Sequence, residues 1–442
     1  MIRKITLLLT GVLLGATAMG LIYHTPGMSS ANAASNNTYE QLSIFSDVYE
    51  RVRKQYVTVP DEKMLVKSAI NGMLSALDPH SSYMDQADTA DMQVQTTGKF
   101  GGLGIEVTME DGLIKVITPI DDTPAAKAGI RSGDYISKID GADVQGLTLE
   151  EAVDKMRGDV KQPIKLVVLR KNAEKPMDFT IVRDIIKVKA VKFRVENDVG
   201  YMKITSFTEQ AFGDLDAAIK KIEADVPKDK LKGFILDLRN NPGGLVDQAV
   251  KVSDVFLDQG EVVSTRGRDP KNITRFDAEK GDETNGLPLI VMVNGGSASA
   301  SEIVAGALQD HRRATVLGTT SFGKGSVQTL IPLGETTGTL RMTTALYYTP
   351  SGKSIQGKGI VPDIKFEQPL PEKFKDADVK SAESDLRGHI KGAQEGTDGS
   401  GSSAYVPADP KDDVQLAEAL KLMRGEIKDP SFPPDPAKAL PN

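Results

Sequence analysis

The most constraining stretch of this 442-residue chain runs from Leu289 to Leu330. It opens on an apolar run, Leu289 to Val293, and passes into a turn of small residues, Gly295-Gly296-Ser297-Ala298-Ser299-Ala300-Ser301. A helix is predicted from about Ala300, then a second strand from Thr315 to Leu317. A continuously apolar strand that feeds straight into a helix belongs to an α/β core. The turn stands a serine at a helix N-terminus, where unpaired backbone N–H groups and the helix dipole favour negative charge. An acyl-transfer enzyme would place its nucleophile there, although serines at a helix start are also ordinary caps. Twenty-five positions after Ser299 comes Lys324, in Phe322-Gly323-Lys324-Gly325, with Gln328 four further on.

Other chemistries compete for these residues. Gly318 to Lys324 matches the first seven positions of a phosphate loop, but Gly325 stands where the Mg²⁺-binding Ser/Thr belongs. Asp237 imitates the acidic residue of a nucleotide site, yet it precedes the lysine loop by about 80 positions, the wrong order. A Ser-His-Asp triad needs a histidine. His24 lies in the N-terminal signal and His389 in the C-terminal tail, and neither His80 nor His311 has a triad context, so structural hydrogen bonding is the expected role of both. The absence of cysteine removes disulfides, thiolate metal sites and cysteine nucleophiles. A net charge of −7 argues against nonspecific nucleic-acid binding.

Several strings together carry a resemblance. SASASE (Ser297 to Glu302) followed by FGKGxxQ (Phe322 to Gln328), with DLRNNPGG (Asp237 to Gly244) upstream, resembles the carboxyl-terminal processing peptidases, also called tail-specific proteases. AINGMLSALDPHSSYM (Ala69 to Met84) and LYYTPSGKSIQGKGIVPDI (Leu346 to Ile364) are similar to the same family, so the likeness covers roughly residues 40 to 370. Within it, GGLGI (Gly101 to Ile105), TPAAKAGIRSGDYISKIDG and LTLEEAVDKMRG resemble a PDZ domain of bacterial proteases. A plain glycine hairpin in an ordinary β-module is the alternative there. The chemistry of the PDZ reading is that a glycine-rich loop holds a carboxylate with successive N–H groups while a sheet edge pairs with an extended peptide. Gly101, Gly102, Leu103, Gly104 and Ile105 are its candidate peptide-binding residues.

The resemblance implies a Ser-Lys mechanism. It selects Ser299, the middle serine of SASAS, as nucleophile, a choice that periodicity leaves open. A serine hydroxyl needs a base to take its proton. Lys324 can be that base if burial lowers its pKa, since desolvation disfavours the charged form. Gln328 is expected to hydrogen-bond Lys324, and the N–H groups of Gly244 and Ala300 to form the oxyanion hole, although a glycine pair after a strand is equally a plain turn. Neither a metal nor a cofactor is expected. Cell-wall hydrolases as substrates and an adaptor lipoprotein as activator are further implications of the family. A non-catalytic PDZ scaffold or chaperone that keeps a peptidase-like core is the alternative.

The ends complete the expectation. Arg3 and Lys4 precede an apolar run from Ile5 to Tyr23, and Ala31-Asn32-Ala33 offers a cleavage site, so residues 1–33 read as an export signal, with an uncleaved inner-membrane anchor as the alternative. Either places the bulk of the chain in the periplasm. Residues 34–97 form a helical segment with Leu42, Phe45, Val48, Tyr49 and Val52 on one apolar face, expected to help form a homo-oligomer. The resemblance implies that residues 98–184 are the PDZ domain and 185–370 an α/β peptidase core of the crotonase/ClpP-like kind. Residues 371–442 are a tail whose stretch 391–410 reads as a flexible linker. A short helix, Val414 to Met423, is expected to pack on another subunit or partner, with docking on its own core as the alternative.

Overall fold

The computed structural model describes residues 28–120, 122–171, 173–269, 271–279, 281–334, 337–372, 380–392 and 401–439. The apolar run Ile5 to Tyr23 lies outside them. Among the described residues no helix is long and apolar enough to cross a membrane. The chain divides into two units, Met1–Asn71 and Gly72–Asn442. In the first, a helix Met28–Gln55 leaves Leu42, Phe45, Val48 and Val52 exposed.

The second unit is built on a six-stranded sheet. Its strands follow the order Val191–Glu196, Val199–Ile204, Gly233–Asp237, Leu289–Val293, Thr315–Gly318 and Ile364–Lys365. Only the first pair is antiparallel. The apolar run Val199 to Ile204 predicts a strand, and Leu215, Ile219 and Ile222 on one face predict a helix from Phe212 to Ile222; the strand matches to the residue, and the helix spans Ala211–Asp225. That helix buries Leu215, Ala218, Ile219 and Ile222 at three- and four-residue spacing, which is why it seats on the sheet. It shares one face of the sheet with the helices Val246–Asp254 and Ala300–Asp310, over Phe234, Leu236, Val291 and Val316.

The opposite face presents Tyr201, Ile235, Ile290, Met292 and Leu317. The C-terminal helix Val414–Arg424 covers it with Leu416, Ala419, Leu422 and Met423. This corrects the expectation that the helix packs on another subunit. The strand Leu289–Val293 is apolar at every position, so its second face needed a cover, and the chain supplies its own. The linker reading also needs correction in part. Residues 393–400 lie outside the described ones, but Ser402–Ser403 pairs with Lys380–Ser381, and Gly295 N–H donates to Ser403 O (3.3 Å).

A second, antiparallel sheet joins Ser82–Met84, Thr339–Tyr348, Gly260–Gly267 and Ile273–Ala278, with Ser326–Pro332 also on Thr339–Tyr348. The PDZ module has its own five-strand path from Ile105–Glu110 to Met177–Val182, with helices Pro124–Ala128 and Leu149–Met156. Ile114, Val116, Ile136, Ile164, Leu166 and Val168 form its core.

Candidate active site

The serine turn separates its three hydroxyls by function. Ser297 and Ser301 are fully buried, and each donates to a carbonyl on the neighbouring strand end: Ser297 Oγ to Leu238 O (2.8 Å), Ser301 Oγ to Asn241 O (2.9 Å). These two are fasteners. Ser299 is half-buried, and its hydroxyl donates to no group among the described residues. Its backbone has φ 54° and ψ −113°, a conformation a non-glycine residue holds at a cost of roughly 1–3 kcal/mol. The helix Ala300–Asp310 begins at the next residue, so Ser299 stands on a sharp strand-to-helix elbow.

The DLRNNPGG turn is stitched against this elbow by Asn241. Its carbonyl accepts from Ala298 N–H (3.0 Å) as well as from Ser301, its Oδ1 accepts from Gly243 N–H (2.9 Å), and its Nδ2 donates to Ile204 O (2.9 Å). Contact is so close that a Cβ on Gly243 would lie 2.8 Å from Ser299 Cβ and 3.0 Å from Ala300 N. Gly244, at φ 145°, runs against Phe207, where a Cβ would sit 2.4 Å from a carbonyl oxygen. The N–H groups of Gly244 and Ala300 have no acceptor among the described residues. Two free backbone donors therefore flank Ser299.

One carboxylate joins the serine elbow to the lysine loop. Glu302, fully buried in the first turn of the helix, accepts four hydrogen bonds. Ser299 N–H (2.7 Å) and Lys324 N–H (2.9 Å) share Oε2, while Ser321 Oγ (2.6 Å) and Gly323 N–H (2.7 Å) share Oε1. Burial pushes its carboxyl up to about 7 against the downward pull of those bonds. Sequence reasoning passed over this residue, although Ser299-x-x-Glu302 has the spacing of a capping box. Glu302 also removes the phosphate-loop reading, because the Gly323 and Lys324 N–H groups that would cradle phosphate are spent on a carboxylate.

Lys324 is half-buried, and burial pulls its ammonium below the ordinary lysine range. Arg341 adds to that pull, while Glu383, Glu302 and Asp78 oppose it. Gln328 does not make its expected bond to Lys324. Its amide Nε2 donates to Ser326 Oγ (3.0 Å) and Thr343 Oγ1 (3.2 Å). The register shift between Val327 and Gln328 turns the side chain along the antiparallel sheet, where Asp78 and Ser81 hold Thr343. Both central histidines are bonded away from Ser299: His311 Nε2 lies 2.7 Å from Glu261 O, and His80 Nε2 lies 2.9 Å from Glu383.

The PDZ candidates sit apart from these residues. Gly101 and Gly102 lie in the strand Lys99–Gly102, which pairs with Asp184–Lys187. The Leu103 and Gly104 carbonyls accept from Ala125 and Ile120, leaving their own N–H groups without an acceptor among the described residues. Ile105 opens the strand Ile105–Glu110.

Comparison with known proteins adds three matches within the chain. Residues 198–366 match the model of peptidase family S41, residues 101–181 that of the PDZ domain, and residues 16–89 that described as activating protease CtpB N-terminal domain. A carboxy-terminal-processing protease of Bartonella bacilliformis is 64% identical over 440 residues, with 100% of both chains covered. A probable CtpA-like serine protease of Staphylococcus aureus is 36% identical over 368 residues, 82% of this chain and 71% of that one. Among solved structures, the photosystem II D1 C-terminal processing protease is 28% identical with a TM-score of 0.43, covering 72% of this chain and 86% of its own.

Proposed function

The chain belongs to peptidase family S41, as a carboxy-terminal-processing serine protease with a PDZ domain, and on that premise we propose that it cuts exported proteins with a Ser299-Lys324 dyad. Neutral Lys324 takes the Ser299 Oγ proton as the oxygen attacks the scissile carbonyl carbon. The electron pair moves to the carbonyl oxygen, which settles against the Gly244 and Ala300 N–H groups, a stabilisation worth roughly 3–4 kcal/mol per donor. The Lys324 ammonium then protonates the leaving amine, and a water activated by the same lysine releases the acyl group.

One observation carries the assignment. Of the serines in the elbow, Ser299 alone keeps its proton uncommitted, and its backbone N–H shares a carboxylate oxygen with that of Lys324. The two residues therefore stand within two hydrogen-bond lengths of each other along the backbone. The Leu103 and Gly104 N–H groups take the carboxylate of a substrate C-terminus, the PDZ module thereby selecting or gating what reaches the elbow. The N-terminal apolar run directs export to the periplasm.

Digestion of unfolded β-casein by the full chain tests the dyad, with Ser299→Ala and Lys324→Ala in parallel. Cleavage by the wild type and none by either variant is the expected result. Near-normal activity in Lys324→Ala would remove lysine as the base.

A further inference from the structure

Glu383 lies beyond the stretch that matches the S41 family, and it is fully buried. Its position is defined by the loop that carries Lys324. Glu383 N–H donates to Phe322 O (2.9 Å), two residues before the lysine. Its carboxylate accepts from Gln356 Nε2 (3.0 Å), and Gln356 Oε1 in turn accepts from Gly325 N–H (2.9 Å), the residue after the lysine. On the other side, both Glu383 oxygens stand 2.9 Å from His80 Nε2, and His80 O accepts from Arg341 Nε (2.9 Å). A buried carboxylate with these partners is held in one place, and it holds the loop on both flanks.

We propose that Glu383 is a positioning residue for the base of the peptidase reaction, fixing the Phe322–Gly325 loop through Phe322 and Gln356, with His80 as the strut behind it. The proposal rests on the reading of Lys324 as the base. His80 and Glu383 are 303 positions apart, so the loop is clamped between a corner that precedes the PDZ module and a segment that follows the core.

Charge gives the proposal a signature that a merely structural part would lack. The charged groups facing Lys324 come from four elements: Arg341 on the antiparallel sheet, Glu302 on the elbow helix, Asp78 beside His80, and Glu383. Arg341 favours the neutral amine, and the three carboxyl groups favour the ammonium. Glu383→Gln keeps an oxygen for Gln356 while deleting one negative charge. In that variant Lys324 loses its proton more readily, so the acid limb of kcat/KM moves to lower pH.

The test is steady-state cleavage of a fluorogenic peptide by the full chain over the pH range in which Lys324 titrates, for wild type, Glu383→Gln, Glu383→Ala, His80→Gln and Lys324→Ala. Glu383→Ala is expected to lose about tenfold or more in kcat with KM held within about twofold, since misplacing a catalytic group lowers kcat more than binding. Glu383→Gln is expected to lose less and to show the acid limb displaced downward, with His80→Gln intermediate in kcat. Direct titration of Lys324 in ¹³C-lysine-labelled chain, its signal assigned with Lys324→Arg, reads the same shift without turnover. An unshifted Lys324 titration in Glu383→Gln, or a Glu383→Ala enzyme that loses thermal stability while keeping kcat and its acid limb, would overturn the proposal. An active Lys324→Ala enzyme would instead overturn the dyad beneath it.

Discussion

At the scale of single residues, Glu302 is the least obvious and most connected group in the site. In its ionised form it can accept from Ser299, Ser321, Gly323 and Lys324 at once, whereas a protonated carboxyl must give up acceptor capacity. Burial raises its folded-state value from 4.5 to about 7, so the folded protein binds this proton more tightly than the unfolded chain does. That contribution to stability is complete below the ordinary carboxylate range and is lost as pH rises through about 7, by roughly 3 kcal/mol for a shift of this size. Glu302→Gln removes the titration, so its melting temperature is expected to vary less than that of the wild type between those limits. Thermal unfolding across the range checks this, and parallel curves for the two proteins would refute it. The same variant leaves at least one buried donor without an acceptor, at a cost of about 1–3 kcal/mol.

At the scale of elements, what the sequence disclosed and what it hid follow from the range of the forces involved. Buried parallel strands such as Leu289–Val293, and helices with a periodic apolar face such as Ala211–Asp225, carry their signal locally; the strand was legible to the residue, and the helix to within three residues at its C-terminal end. The antiparallel sheet went unread, because Thr339–Tyr348 is half-buried almost throughout and lacks a clean alternation. Two-residue strands such as Lys380–Ser381 and Ser402–Ser403 have no periodicity to read, so a segment that packs beside the elbow looked like a linker. Ser299, Lys324, Gly244 and Ala300 were singled out through motif resemblance. Glu302 and Glu383 were missed because their importance lies in partners that only the fold brings near. The C-terminal helix was misjudged for the same reason. Its first turn bears Asp413 as N-cap, and Asp413 bonds Arg239 at 2.9 and 2.7 Å. Arg239, 1% exposed, also bonds Asp237 and Gln415. Removing one carboxylate from such a buried cluster costs about 3–5 kcal/mol. Asp413→Ala is therefore expected to lower the unfolding free energy by that order in urea titrations, and a loss under about 1 kcal/mol would show that the terminal helix docks without this anchor.

At the scale of the whole molecule, the N-terminal helix Met28–Gln55 carries an apolar stripe on its exposed surface. Leu42, Phe45 and Val48 are 58%, 56% and 54% exposed, and Val52 continues the same stripe at helical spacing. An apolar stripe of this length on a helix is the usual mark of an association surface. We expect a second copy of the chain to cover it. Phe45→Glu with Val48→Glu should lower the mass measured by analytical ultracentrifugation, and an unchanged mass would assign the stripe another partner or none.

The anchors of the lysine loop and of the DLRNNPGG turn have one further consequence, in the order in which the chain is made. Ser299 and Lys324 emerge from the ribosome before Glu383, and Glu383 before Asp413. A chain that reaches only as far as Lys324 still lacks Glu383 beside the lysine loop and Asp413 beside Arg239. The fastening of the lysine loop and of the DLRNNPGG turn is therefore completed by segments that come late in the chain, so a truncation that removes Val414–Arg424 would strip Arg239 of its Asp413 and Gln415 partners even with Ser299 and Lys324 in place.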